Sequence, residues 1–386
     1  MHKVGMLDLK AEYELIRDDV QAVVETVLES QQHINGPAVA EFETEMADRL
    51  GVKHAIAVSS GTDSLLCSMM ALDIGYVDEV ILPSFTFFAT AGSVARLGAT
   101  PVFVDIDSAT FNIDPASIEQ AITERTRAII VVHLFGQCAD MDVIRDLATH
   151  NGLALIEDAA QAIGATYRGQ QIGSWGDTAC LSFYPTKNLG GFGEGGMILA
   201  NDEDLAALVR QLRNHGESER YIHQRVGGNF RLDTMKAAIL RVKLQNLDEF
   251  TRRRRHNAAL YNKLLDDSVV TAPYVPEHHE PVYHQYSLLC DRRDDLQEFL
   301  QRHGIATGVY YAVPLHLQKC FASLAYKPGA LPVTEQTCAN ILSLPCHPML
   351  ADNDIHYVVS RIHEFYGITK PGDRGSGKAI EKTAKT

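Results

Sequence analysis

The chain has 386 residues, of which 46% are apolar and 22% charged, the balance of an ordinary folded protein and not of a disordered or fibrous one. At roughly 150 residues per domain, this length points to two or three domains with room for a large core. Its 35 Lys and Arg against 49 Asp and Glu give a net charge of −14, which argues against nucleic acid as a partner, because a phosphate-backbone binder needs a clustered positive surface.

The opening MHKVGMLDLKAEYE is charged and lacks the apolar stretch of a secretory signal. No apolar run reaches the roughly 18 residues of a membrane span, so the expected location is cytoplasmic, with no membrane partner. The cysteines (Cys67, Cys138, Cys180, Cys290, Cys320, Cys338, Cys346) are scattered without a C-x-x-C pair. They are expected to be reduced and mostly buried, and no metal site is expected.

Seven short apolar runs recur between about residues 54 and 201: HAIAV at 54, EVIL at 79, PVFVDI at 101, AIIVVHL at 128, LALIEDA at 153, ACLSFY at 179 and GMILA at 196. Segments of helical period or turn chemistry separate the first five, the alternation of an α/β sheet covered on both faces. Only about ten glycine-rich residues, NLGGFGEGG, separate the last two, too few for a helical crossover. That pair is expected to be antiparallel and the sheet mixed.

After Asp202 the pattern turns helical. Asp233 to Phe250 places Met235, Ile239, Val242 and Leu247 at helical spacing and continues through TRRRRHNAALYNKLL, as one long helix or two. The run Arg252–Arg255 reads as a solvated helix face. A strand-like YHQYSLLC, a helix from about Asp294 to His303 and a second strand-like HGIATGVYY make a small α+β unit. The expected division is a large α/β domain over 1–245, a small C-terminal domain over 246–368 and a disordered tail over 369–386.

Two glycine motifs fail on context. G-F-G-E-G-G at 191–196 has dinucleotide-loop spacing but precedes a strand, not a helix, and GDRGSGKA at 372–379 has alanine where a phosphate loop needs Ser or Thr. His278 and His279 have no third ligand at metal spacing.

Three other segments lie where open α/β sheets bind ligand, beyond the carboxyl ends of strands. In VSSGTDSLL, a strand ends in small residues and Thr62 and Asp63 open a helix, so that backbone N–H groups and the helix dipole face an anion such as phosphate. A plain strand-to-helix turn capped by Thr62 or Asp63 fits the same residues. In LALIEDAAQAIG, a buried strand delivers Glu157, Asp158 and then Gln161; a carboxylate there either pairs with a cation or holds a protonated ring nitrogen. In LSFYPTKNLGGFGEGG, Lys187 stands between a proline turn and a glycine loop, a candidate for Schiff-base formation with carbonyl compounds. An anion cradle, a carboxylate and a Schiff-base lysine in this chain order are the parts that a pyridoxal 5'-phosphate enzyme needs.

Over residues 5–368 the sequence resembles the sugar aminotransferases of the DegT/DnrJ/EryC1/StrS family, fold-type I pyridoxal-phosphate enzymes. The matching strings include SSGTDSLL, DEVILPSFTFFAT, EDAAQAIGA, SFYPTKNLG, GEGGMI, VGGNFRLD and VPLHLQ. The resemblance implies a large domain with a mixed seven-stranded sheet between helices and a smaller α+β domain. It implies that Lys187 is the catalytic Schiff-base lysine and proton shuttle, that Asp158 keeps the pyridine nitrogen protonated, that Gln161 bonds the ring oxygen and that Phe87 stacks on the ring. The phosphate is implied on Thr62, Asp63 and Ser182, with Asn229 from a neighbouring subunit, hence a homodimer with shared active sites. Arg231, Tyr310, Tyr311 and His316 are implied on the substrate side. Dehydratase relatives carry histidine at the lysine position, so PTKN favours transamination. Tyr310 stands where many relatives carry histidine, and Lys236 where they carry glutamine. The implied reaction moves an amino group from an amino acid, usually L-glutamate, to a keto-sugar, most often nucleotide-linked and aminated at the 3- or 4-position, for surface polysaccharide or lipopolysaccharide. The alternatives are a nucleotide-free acceptor such as 8-keto-3-deoxy-octulosonate, and a non-catalytic regulator that binds the cofactor.

Overall fold

The computed structural model describes residues 2–368; the expected disordered tail lies outside them. Among these residues the central sheet has seven strands: β1 (His54–Val58), β2 (Glu79–Pro83), β3 (Thr100–Val104), β4 (Thr126–Val132), β5 (Ala154–Asp158), β6 (Thr178–Ser182) and β7 (Gly196–Ala200). Their spatial order is β1-β7-β6-β5-β4-β2-β3. The pairs β2–β3, β2–β4, β4–β5 and β5–β6 are parallel. β7 is antiparallel to both β6 and β1, as its short glycine connection requires.

Helices cover both faces, which is why the strands read as continuous apolar runs. Side chains alternate along each strand between the two faces. Ile129 and Val131 of β4 enter the core made with helices Pro37–Leu50, Met141–Asn151 and Thr234–Leu244. Ala128 and Ile130 enter the one made with Gly61–Ala71 and Phe88–Arg96. β5 follows the same rule, Leu155 joining the first core and Ile156 the second. Continuing that alternation sends Glu157 and Asp158 to opposite faces.

A separate core gathers Tyr261, Tyr286, Leu300, Leu342 and Ile355 with Val4 from the start of the chain. Helix Leu247–Leu264, helices Arg293–Arg302 and Asp352–Tyr366, and an antiparallel sheet of Val270–Thr271, Tyr286–Cys290 and Ile341–Leu344 surround it.

Of the two forms open to the helical stretch from Asp233, the chain takes two helices, Thr234–Leu244 and Leu247–Leu264. Two expectations change. HGIATGVYY is not a strand: it bridges once to Val4 through Ile305 and once to Ser343 through Gly308, changing partner within three residues so that no ladder can extend. Ile341–Leu344 takes the strand's place. The arginine run is not uniformly solvated. Arg252 and Arg253 pair with Glu249, whereas Arg254 is 3% exposed and is held by backbone carbonyls.

Candidate active site

β5 ends in two carboxylates that the fold treats differently. Glu157 is fully buried, 2.9 Å from Nε2 of His133, and accepts the amides of Gly173, Trp175 and Gly176 at 3.0, 3.1 and 2.8 Å. The amide of Ala139 donates to Nδ1 of His133 at 3.2 Å, so Nε2 is the nitrogen that carries the proton toward Glu157. Four donors fill the roughly four acceptor positions of a carboxylate. Burial pushes the Glu157 pKa up, but the bonds from His133 and the loop amides hold it below the ordinary value. Glu157 is thus a structural anchor with no capacity left for a ligand.

Asp158 faces the other way. Its Oδ2 accepts the hydroxyl of Thr90 at 2.8 Å and its Oδ1 the amide of Ala160 at 3.3 Å. Two donors leave acceptor capacity unused. Burial raises its pKa, against the pull of Thr90, Ala160 and the nearby cation of Lys187. Lys187 sits in the turn after β6, its amide donating to the carbonyl of Tyr184 at 2.8 Å. Burial lowers the pKa of its ammonium to about 8, with the Asp158 carboxylate acting in the opposite direction. A lysine poised this way is a far better carbonyl nucleophile at neutral pH than a solvated one.

The segment after β1 forms the expected anion cradle with one revision. Ser60 is the helix cap: its hydroxyl accepts the Asp63 amide at 3.0 Å, and the Asp63 carboxylate accepts the hydroxyls of Ser59 and Ser60 at 2.7 and 2.9 Å. The cap therefore occupies the Asp63 amide and does not use those of Gly61 and Thr62. Ser182, at the end of β6, closes the other side. A Cβ at Gly61 would lie 2.7 Å from the Cβ and 3.0 Å from the hydroxyl of Ser182, so the space beside that hydroxyl exists because residue 61 has no side chain.

Gln161 accepts the Phe135 amide through Oε1 at 2.7 Å, which fixes its amide so that Nε2 donates to the Tyr311 hydroxyl at 3.1 Å. One further N–H of that group is left for a ligand. Phe87 stands at the start of helix Phe88–Arg96, more than half exposed, its ring centroid 6.2 Å from that of Tyr311. Tyr310 packs edge-on to Tyr311 at 6.1 Å.

His316 is placed away from the expected substrate side, while Asn229 and Arg231, which the resemblance puts in a neighbouring subunit's site, have the following places within their own chain. His316 is buried, with Nδ1 2.7 Å from the Ser84 hydroxyl and Nε2 3.2 Å from Glu335. Both ring nitrogens are engaged in packing one segment onto β2, so the structure does not bring His316 to a substrate. Asn229 is exposed and pairs with Asn214. Arg231 donates to Asn214 through Nη1 at 2.6 Å, while its buried Nε has no partner. The intervening Phe230 carbonyl accepts the Ser59 amide at 2.8 Å, which lays this segment beside the cradle of its own chain. Sequence reasoning missed Thr90. The four-residue spacing of Thr86 and Thr90 in SFTFFAT, just beyond a strand end, was the available signal.

The residues fit pyridoxal phosphate: spare capacity on a buried carboxylate, a desolvated lysine, a glycine-dependent nook at a helix N-terminus and an exposed aromatic face. Fold and site together define a fold-type I pyridoxal-phosphate-dependent aminotransferase. The chain belongs to the DegT/DnrJ/EryC1/StrS aminotransferase family, whose model matches residues 14–363. A solved structure of DesV from S. venezuelae, in complex with ketimine intermediate, superposes with a TM-score of 0.92 at 42% identity, covering 95% of this chain and 99% of that one. The UDP-2-acetamido-2-deoxy-3-oxo-D-glucuronate aminotransferase of Pseudomonas aeruginosa is 43% identical over 93% of this chain and 99% of its own length. A protein of Geobacillus stearothermophilus described as a pleiotropic regulatory protein is 50% identical over 94% of this chain and 98% of its own length.

Proposed function

We propose that the chain transfers an amino group from an amino acid, L-glutamate in our reading, to a nucleotide-linked keto-sugar at its 3- or 4-position, for surface polysaccharide or lipopolysaccharide. The observation that carries this reading is the desolvated amine of Lys187 set near the incompletely satisfied carboxylate of Asp158. The substrate named for the P. aeruginosa relative, a UDP-linked 3-oxo sugar, supports the nucleotide and the 3-position.

When bound, pyridoxal phosphate supplies an electron sink for a carbanion beside the substrate nitrogen. Asp158 keeps the ring nitrogen protonated through a charge-assisted hydrogen bond. Lys187 would supply the amine that holds the cofactor, and its amine, with a pKa lowered to about 8, would serve as a base matched to near-neutral pH. Gln161 holds the ring oxygen, and Phe87 covers the ring face and excludes water. The amides of Gly61 and Thr62 and the hydroxyl of Ser182 hold the phosphate at the helix N-terminus, while Asp63 holds the cap. Tyr310 and Tyr311 border the acceptor.

We infer a cytoplasmic homodimer, with Asn229 and Arg231 reaching a neighbouring site, and a division into 1–245 and 246–368. Exposed Tyr221, Ile222 and Val226, on the segment that leads to Asn229, support a subunit contact there. No helix among the described residues is long and apolar enough to cross a membrane.

The name of the G. stearothermophilus relative favours a second reading, a regulator. Both readings meet in one experiment. L-Glutamate converts the purified protein to its pyridoxamine form, nucleotide 3-keto- and 4-keto-sugars and an 8-keto-octulosonate are added in turn, and the returning visible absorption is followed. A nucleotide keto-sugar should restore it fastest. Restoration by the octulosonate alone would move the acceptor to that class, and a visible band with a full glutamate response in Lys187→Ala would end the enzyme reading.

A further inference from the structure

The hydrogen bonds behind Lys187 lead to a histidine outside the site just described. Asn188, the next residue, is buried, and its Nδ2 donates to the Val282 carbonyl at 3.2 Å. That bond identifies which end of the amide is oxygen, and Oδ1 lies 3.1 Å from Nδ1 of His284. An oxygen of this kind only accepts, so Nδ1 of His284 carries the proton and the tautomer is set by the network. Burial drives the His284 pKa far below its ordinary value, and the cations of Lys187 and Arg254 push it the same way. The ring is therefore neutral, and the charge that opposes the effect of burial on Lys187 is the Asp158 carboxylate.

The backbone around His284 is equally constrained. Arg254 donates from Nη1 to the carbonyls of Tyr283, His284 and Cys346 at 3.3, 3.4 and 2.8 Å. The Val282 amide donates to the Gly136 carbonyl at 2.9 Å. Gly136 has φ +95, and a Cβ there would stand 2.9 Å from the His284 nitrogen and 3.1 Å from the Gln161 carbonyl. Only glycine permits so close an approach. The loop bearing His284 is thus clamped between a buried arginine and the Leu134–Gly136 turn, which itself lies against the Gln161 backbone, and it reaches the lysine turn through Asn188.

We propose that His284 is a positioning residue for Lys187, fixing through Asn188 the turn from which the lysine side chain projects. The inference rests on the reading of Lys187 as the cofactor-bonding amine. A chain without a donor at 284 leaves Oδ1 of Asn188 as a buried unpaired acceptor, and the turn relaxes to find another partner.

The test is a pH titration, from 6 to 10, of the visible absorption of the cofactor bound to the full-length protein, with folding checked by near-ultraviolet circular dichroism. His284→Leu, which removes the donor, is expected to displace the midpoint by roughly half a pH unit or more. His284→Asn, which can place an amide N–H near the position of Nδ1, should restore it. Asn188→Ala should displace it like His284→Leu, and the double variant should move no further than the larger single change, because the two residues act as one unit. An unmoved midpoint in His284→Leu, a His284→Asn variant as displaced as His284→Leu, or additive displacements would each overturn the proposal. Should His284→Leu fail to fold, the Asn188→Ala titration decides alone, an unmoved midpoint being the overturning result. A wild-type protein with no visible band would instead refute the reading of Lys187.

Discussion

The Thr90 hydroxyl gives its single proton to Oδ2 of Asp158 at 2.8 Å, so the Thr86 hydroxyl, 3.2 Å from Thr90, must be the donor in that second pair. Two threonines thus form a directed relay that ends on the carboxylate assigned to the cofactor. Thr90→Val keeps the shape and removes the donor. It should weaken pyridoxal-phosphate binding by about 1–3 kcal/mol, roughly five- to 150-fold, measured by absorbance titration of cofactor-free protein. Unchanged affinity would remove the relay from the site.

Lys187, with its pKa lowered to about 8, should make cofactor uptake strongly pH-dependent below that value. Uptake by cofactor-free protein, followed by stopped flow, is expected to rise about tenfold per pH unit and to level off above the folded pKa. A rise continuing toward the ordinary lysine value of 10.5 would show a solvated amine.

Glu157 has a folded pKa below its ordinary 4.5. Its contribution to stability is complete above the unfolded value and is lost as pH falls through the folded one. Glu157→Gln sets an amide NH2 against groups that donate, and should destabilise by about 2–4 kcal/mol at neutral pH. Urea unfolding should show that gap narrowing as pH drops below 4.5. A gap independent of pH would mean that the loss is one of shape and not of charge.

Gly61→Ala should lower cofactor affinity at least tenfold and, because the added Cβ meets the Ser182 Cβ at 2.7 Å, should also lower the unfolding midpoint of cofactor-free protein by several degrees. The added Cβ falls 3.0 Å from the Ser182 hydroxyl, inside the nook assigned to phosphate. Equilibrium dialysis with inorganic phosphate as competitor would separate loss of the nook from general damage, because phosphate should lose its ability to compete in the variant.

The sheet was legible because its strands are buried on both faces and each reads as an apolar run; even the reversal of β7 followed from a connection too short for a helix. Lys187 was legible from its glycine loop. What the residue pattern by itself could not separate, and only the family resemblance assigned, were adjacent residues of like chemistry. Glu157 and Asp158 differ only in the face to which strand alternation sends them, and one is saturated by four donors while the other keeps capacity for a ligand. His316 lies in a string shared with relatives, but its partners Ser84 and Glu335 are brought to it by tertiary packing. Arg254 lies in a run that reads as a solvated face, and its burial became apparent only once three loop carbonyls converged on it.

The reversed strand has a consequence for the cradle. β1 and β6 are not neighbours, because β7 lies between them, which separates their ends by two strand spacings, about 9.5 Å. Because β7 runs backward, it begins where they finish: Gly196 is paired with Val58 on one side and with Ser182 on the other. A Cβ at Gly196 would sit 2.4 Å from the carbonyl of Ser60. The Ser60–Gly61 backbone can therefore fold across the bare first residue of the middle strand and meet Ser182. The nook is a seam drawn over a gap in the sheet's side-chain layer, and a methyl group at residue 196 would prise it open from beneath, pressing on the Ser60 carbonyl and, at 2.7 Å, on the Gly61 nitrogen.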